Sequence, residues 1–370
     1  MKNTDRRQWL KTVGLSGGFA LLAGLDAIAV DYIPEPWNSN TIAKLNSNEN
    51  PYGPSKRVRE VLTNSFDIAC RYPFGVLREL VQMIAEKEGV TKDHVVVCGG
   101  STEGLKVAGL LYGKNEAEVI AADPTFQSLM RYSENFGGKV HRVPVNDVLE
   151  HDLDQMAGKI NSKTGLIFLC NPNNPTGTLI KKDQLKDFCT SFDKKAMIFS
   201  DEAYYDFITE PDYPSMVTLV KEGRNVIVSK TFSKVYGMAG LRIGYLIAKP
   251  EIASKLKAGV MAMSNTLAIE AAKEALRDDD FYKFSLLKNM EAKATVYNTL
   301  DEIGLEYVKS HTNFVFFKTG RPISEVMAAM KNEGVLIGRP FPPMLDWARI
   351  STGTTEQMLH FSKALKRVMS

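Results

Sequence analysis

From about residue 56 the chain alternates between amphipathic stretches and short runs that are apolar almost throughout. Residues Val76–Gly89 (VLRELVQMIAEKEG) repeat their apolar positions at helical spacing. The apolar runs are His94–Cys98 (HVVVC), Val119–Ala122, Leu166–Cys170, Ala196–Ser200 and Val226–Ser229. Nearly continuous apolarity is what a strand shows when both of its faces are covered. Helices alternating with such strands predict an α/β fold, a mostly parallel sheet with helices on both sides. From Glu251 the strands thin out. A helical region over 251–302 is followed by a strand (Asn313–Lys318), a helix (Ile323–Glu333), strands Val335–Gly338 and Trp347–Ser351, and a closing helix (Thr355–Met369). That pattern predicts a smaller α+β domain at 251–370, after a large domain at 56–250, with the boundary near Lys249-Pro250. Residues 30–55, rich in Pro, Asn and Ser, predict an extended arm.

The loops after these runs carry the chemistry. The runs lead in turn into Gly99-Gly100-Ser101-Thr102-Glu103, Asp123-Pro124-Thr125-Phe126, Asn171-Pro172-Asn173-Asn174-Pro175-Thr176-Gly177, Asp201-Glu202-Ala203-Tyr204 and the stretch SKTFSKVYGMAGLRIGY at Ser229–Tyr245. Ligands of open parallel sheets bind at the carboxyl ends of the strands, so these loops can converge on one site.

Composition narrows the class. The chain has 370 residues, 44% hydrophobic and 24% charged, enough to bury a core of good size. A net charge of only +3 is too mild for a nucleic-acid footprint, which leaves small molecules as expected partners. Cys70, Cys98, Cys170 and Cys189 form no CxxC pair, and the five histidines are scattered, so no zinc site is expected.

Residues 1–29 read as an address and not as fold. Arg6-Arg7-Gln8-Trp9-Leu10-Lys11 resembles the twin-arginine export motif, a glycine-bearing apolar segment runs from Thr12 to Leu25, and Ala27-Ile28-Ala29 offers a small-x-small cleavage site. The segment is too short and too glycine-rich for a stable membrane span. This predicts export to the periplasm; the plainer reading is an amphipathic N-terminal helix on a cytoplasmic protein.

The individual loops leave alternatives open. Gly99–Thr102, between a strand and a helix expected over Glu103–Leu111, suits a phosphate at a helix N-terminus and equally an ordinary glycine turn with a Ser/Thr cap. Gly104 is followed by Leu105, so it is not a nucleotide P-loop. Asp201 at the end of a buried strand needs a cationic or N–H partner. A nucleophilic lysine must lose about 2–3 pKa units, through burial or neighbouring cations. On spacing alone both Lys230 and Lys234 read as ordinary solvated lysines.

Taken together, CNPNNPTG, DEAYYDF and TFSKVYGMAGLRIGY, preceded by LNSNENPYGPS and followed by WARISTGT, carry a resemblance across Leu45–Thr354. The chain resembles fold-type I pyridoxal-phosphate (PLP) aminotransferases, and most of all histidinol-phosphate aminotransferases. The resemblance implies a large domain with a mostly parallel seven-stranded sheet, a small C-terminal domain and a homodimer with shared active sites. It places Lys234 at the lysine that binds PLP covalently, and Asp201 opposite the pyridinium nitrogen. Asn174 and Tyr204 fall at the ring hydroxyl, Phe126 at the stacking aromatic, and Gly100, Ser101, Thr102, Thr231, Ser233 and Arg242 around the phosphate. Tyr72 matches the tyrosine that reaches the neighbouring subunit's phosphate. Arg349, Arg339 and Asn50 are expected to contact substrate, Arg349 by a bidentate grip on an anionic group. Lys230 falls outside the matched chemical positions and reads as structural. The reaction implied is transfer of an amino group from an amino acid or a histidinol-phosphate-like amine to a 2-oxo acid such as 2-oxoglutarate. A lyase or decarboxylase on the same scaffold, like threonine-phosphate decarboxylase, shares Lys234 and Asp201. A non-catalytic binder would not need the intact lysine, aspartate and arginine set.

One position departs from the pattern. Four residues after Gly334 the chain holds Gly338, and Arg339 comes one later. In a continuous strand that slip turns the arginine to the opposite face.

Overall fold

The computed structural model describes Asn38 and residues 41–370. The export segment at residues 1–29 lies outside the described residues. Eleven strands are present in them: β1 (Ala43–Lys44), β2 (Val95–Cys98), β3 (Glu118–Asp123), β4 (Lys139–Pro144), β5 (Thr164–Cys170), β6 (Met197–Asp201), β7 (Val226–Thr231), β8 (Gly244–Ile247), β9 (Phe314–Lys318), β10 (Val335–Leu336) and β11 (Trp347–Ser351).

Seven of them form one sheet in the order β2-β8-β7-β6-β5-β3-β4. All neighbours from β7 to β4 run parallel, and β8 alone is antiparallel to both of its partners. The five apolar runs of the sequence are β2, β3, β5, β6 and β7. Each is covered on both faces: Ile167, Leu169, Ile198, Val226 and Val228 pack into one core, and Leu166, Phe168, Met197, Phe199 and Ile227 into the other. Alternate residues of single strands therefore divide between two apolar layers, which is why the strands show no polar face.

The helix Phe74–Glu88 stops at Gly89, whose φ of 65° is a left-handed conformation that glycine adopts without a Cβ penalty. The helical region after Glu251 is three helices, Pro250–Gly259, Thr266–Ala275 and Asp279–Glu302. The closing helix Thr355–Met369 starts in a capping box, with Thr354 and Gln357 satisfying each other's backbone N–H.

A third core joins Val296, Val315, Phe317, Val326, Ile350 and Phe361. Two segments sit away from where chain order alone would put them. Ala43 and Leu45 of the arm belong to this third core, because β1 pairs parallel with β10. Ala268, Ile269 and Ala272 of the helix Thr266–Ala275 pack into the core of the large sheet instead. No helix of the described residues is long and apolar enough to cross a membrane.

Candidate active site

The carboxyl ends of the parallel strands, the arm and β11 enclose a cleft of about 590 Å³. Lining it are Ser101, Thr102, Phe126, Asn174, Asp201, Tyr204, Thr231, Ser233, Lys234, Arg242, Arg339 and Arg349. Of the residues singled out in the sequence, all but Gly100, Tyr72 and Asn50 thus share one wall-to-wall space, and Gly100 adjoins it.

One end is built for an anion. The helix expected from Glu103 begins two residues earlier, at Ser101, so Ser101 and Thr102 occupy its first turn. Gly100 precedes it with φ 82°, and no side chain caps the helix start. A Cβ at Gly100 would collide with the Arg242 guanidinium. Exposed helix N–H groups, hydroxyls and an arginine therefore meet in one cradle. No Ser or Thr side chain caps this helix start, so the turn has the form a phosphate could occupy. The Thr231 hydroxyl donates to Ser233 Oγ at 3.0 Å, holding the Thr231 and Ser233 hydroxyls side by side.

In the middle stands Lys234, half-buried. Its Nζ donates to the Asn48 carbonyl at 2.8 Å and lies 5.5 Å from the Tyr204 ring centroid. Burial and the Arg349 guanidinium bring its pKa down to about 8, against the opposing pull of Glu49 and Asp201. Such a lysine is still mostly protonated near physiological pH, but its neutral fraction is far larger than that of an ordinary lysine, as nucleophilic and general-base chemistry requires. Asp201 ends β6, 2% exposed, and its Oδ1 accepts from Ser229 Oγ at 2.7 Å and from the Ala203 N–H at 3.3 Å. Burial raises its carboxyl above the ordinary range, and the Ser229 hydrogen bond opposes that. A cation placed against it would restore the ionised form.

The other end is cationic. Arg349 Nη1 donates to Asn174 Oδ1 at 2.7 Å and Nη2 to the Asn46 carbonyl at 2.9 Å. Its buried Nε has no partner. Burial lowers its pKa to about 10. Arg339 shares this wall: the guanidinium carbons of Arg339 and Arg349 lie 4.4 and 4.8 Å from the Phe341 ring centroid. The one-residue slip therefore does not turn Arg339 away from the cleft. β10 ends at Leu336, so strand alternation no longer governs residue 339, and Gly338 N–H instead donates to the Arg349 carbonyl at 2.8 Å.

Two expected contacts lie elsewhere. Asn50 does not line the cleft; its Nδ2 is committed to the Val235 carbonyl at 2.9 Å and to Ser285 Oγ at 3.0 Å. Tyr72 is 78% exposed, with its ring 5.9 Å from that of Phe74, outside the cleft. Asn48, inside the stretch LNSNENPYGPS but with no role of its own assigned there, takes a central place. Its Nδ2 donates to Tyr204 Oη at 2.9 Å, beside a longer bond of 3.4 Å to Tyr204 Oη from Asn174 Nδ2.

Residues 40–365 match the family model for aminotransferase class I and II. The chain belongs to the class I and II aminotransferases. Among its relatives are histidinol-phosphate aminotransferases of Moorella thermoacetica, 36% identical with 89% of this chain and 86% of that protein covered, and of Bacillus cytotoxicus, 33% identical with 92% of each covered. The fold also matches the solved histidinol-phosphate aminotransferase of Sinorhizobium meliloti in complex with pyridoxal-5'-phosphate. The TM-score there is 0.82 at 24% identity, covering 96% of this chain and 99% of that one. This aminotransferase is PLP-dependent, and its cleft suits the cofactor: an anion cradle at one end, a buried carboxylate and a lysine of lowered pKa between, and a guanidinium with a free Nε beyond.

Proposed function

We propose that this aminotransferase draws its amino group from a phosphorylated amine of the histidinol-phosphate kind, with Lys234 moving the proton and 2-oxoglutarate taking up the nitrogen. The single observation behind it is the juxtaposition of Lys234 with Arg349 and Arg339. One bidentate arginine is enough for a carboxylate. Two guanidiniums against the same Phe341 ring suit an end group of higher charge, and the two relatives at 36% and 33% identity are histidinol-phosphate aminotransferases by name.

In this reading PLP supplies the electron sink for the donor's Cα. The chain's own residues do the rest. Gly100, Ser101, Thr102, Thr231, Ser233 and Arg242 hold the cofactor's phosphate. Asp201, kept in place by Ser229, holds a proton on the ring nitrogen opposite. Asn174 and Tyr204 orient the ring hydroxyl, and Phe126 covers a face. Lys234 would take a proton from the donor's Cα and return one during transfer. Arg349, anchored on Asn174 and Asn46, grips the anionic end and excludes water from it.

The test is a panel of amino donors, histidinol phosphate and aromatic amino acids among them, with 2-oxoglutarate as acceptor and glutamate formation as readout. Fastest turnover with the phosphorylated amine supports the reading. Preference for an aromatic amino acid overturns the donor assignment, and carbon dioxide released without an acceptor overturns transamination.

Two further expectations belong here. A homodimer in which a second copy brings its Tyr72 to the phosphate end is supported by the exposed Phe66, Tyr72, Phe74 and Met261; sedimentation of a monomer would remove it. Export by the twin-arginine route rests on Arg6, Arg7 and the apolar segment beyond them. Uncleaved protein found only in the cytosol would defeat it.

A further inference from the structure

Asn48 makes more connections than any role assigned above requires. It is 2% exposed and has φ 54°, a left-handed conformation that asparagine tolerates better than most residues. Its carbonyl accepts from Lys234 Nζ at 2.8 Å, and its Nδ2 donates to Tyr204 Oη at 2.9 Å. Its backbone N–H donates to Ser351 Oγ at 2.8 Å, and the Ser351 hydroxyl donates back to Asn48 Oδ1 at 2.9 Å. Ser351 ends β11, the strand that carries Arg349, and Arg349 Nη2 in turn holds the Asn46 carbonyl. The Ser351 N–H also donates to the Leu45 carbonyl at 2.9 Å, so the arm is pinned to β11 at Leu45, Asn46 and Asn48, and the lysine is pinned to the arm.

We infer that Asn48 is a positioning residue, which fixes where the Lys234 ammonium rests and ties that place, through Ser351, to the strand that grips the substrate's anionic end. The charged and titratable groups facing Lys234 are Arg349 on β11, Glu49 on the arm, Asp201 at the end of β6, Arg242 before β8, and Tyr204. The Asn48 carbonyl adds a fixed acceptor that favours the protonated lysine. Displacing it removes that preference.

The inference rests on Lys234 being the proton-moving residue, but its test uses no turnover. In the cofactor-free full-length chain, labelling of Lys234 by a small acylating reagent, resolved by peptide mass spectrometry, should give a reactivity profile with pH whose midpoint in the parent is expected near 8. Asn48→Gly keeps the left-handed backbone and removes both side-chain hydrogen bonds. Its midpoint is expected to fall by about half a unit or more. Ser351→Ala is expected to shift the midpoint the same way by less, and decides the matter if the glycine variant fails to fold. Midpoints equal to the parent's, with only thermal stability reduced, would overturn the inference and leave Lys234's own role untouched. An inactive donor panel, with the midpoint still shifting, would overturn that role instead.

Discussion

Lys230 and Lys234 stand on one strand-to-loop segment, and their surroundings drive them in opposite directions. Lys230, in β7, pairs with Glu88 at 3.1 Å and with Glu202 at 3.6 Å, and lies 4.6 Å from the Tyr205 ring centroid. Burial would lower its pKa, but Glu88 and Glu202 overcome that and raise it. Lys234 meets burial and Arg349 together, and Asp201 and Glu49 do not compensate. The same side chain is a permanent cation on one side of the strand end and a base on the other. Chemical identity therefore came from the partners, and the partners lie far away in the chain.

Substitutions test that contrast, beginning with the largest effect. Lys234→Ala should lower transamination by at least about 10⁴-fold and abolish the absorption of the Schiff-base link between the lysine and the cofactor. Lys230→Ala should retain both in the same spectrophotometric assay. If the two variants behave alike, the division of roles is wrong. Asp201→Ala should cut turnover by about 10²–10³-fold while removing less of the cofactor, measured by absorbance per chain. Equal losses would make Asp201 a support for binding only. Arg349→Lys should cost about tenfold to a hundredfold in kcat/KM for the anionic donor, because an ammonium cannot reproduce the fork. An unchanged ratio would move anion recognition to Arg339.

The remaining two tests read stability. Lys230→Ala leaves Glu88 and Glu202 without their cation and should lower unfolding stability by about 3–5 kcal/mol in denaturant titrations. The pH dependences should also have opposite signs. The unfolded chain binds more protons at Lys234 between about 8 and 10.5, so this group makes the cofactor-free protein more stable as pH rises through that window. Its stabilising replacement, Lys234→Met, should gain about 1–2 kcal/mol at neutral pH and lose that advantage above the window. Lys230, raised above 10.5, contributes stability that is fully present below that value and lost only as pH climbs through its raised pKa. Parallel profiles for the two variants would sink the contrast.

The large sheet was legible because its central strands are short, continuous and apolar, a pattern that burial on both faces imposes. Two strands were not. β4 (KVHRVP) sits at the sheet edge, largely in contact with solvent, and so lacks the apolar run. β8 (GYLI) comes directly after the lysine-bearing loop and merges with its motif. In the site, residues at strand ends could be foreseen, since strand ends share one rim. Asn48 could not: its partners Tyr204, Lys234 and Ser351 are 156, 186 and 303 positions away, and no local pattern marks such bonds. Nor could the Glu88 partner of Lys230, 142 positions distant. Arg339 differs in kind, because strand alternation holds only as far as β10 runs, and the arginine lies beyond its end.

The pairing of β1 with β10 orders events in the life of the chain. Ala43 and Lys44 find their register only on Val335 and Leu336, so the segment that roofs the cleft has no docking place until nearly all of the polypeptide exists. A chain cut short of Val335 would leave the arm without its partner strand, and with it the cleft wall made by Asn46, Ser47, Asn48 and Glu49.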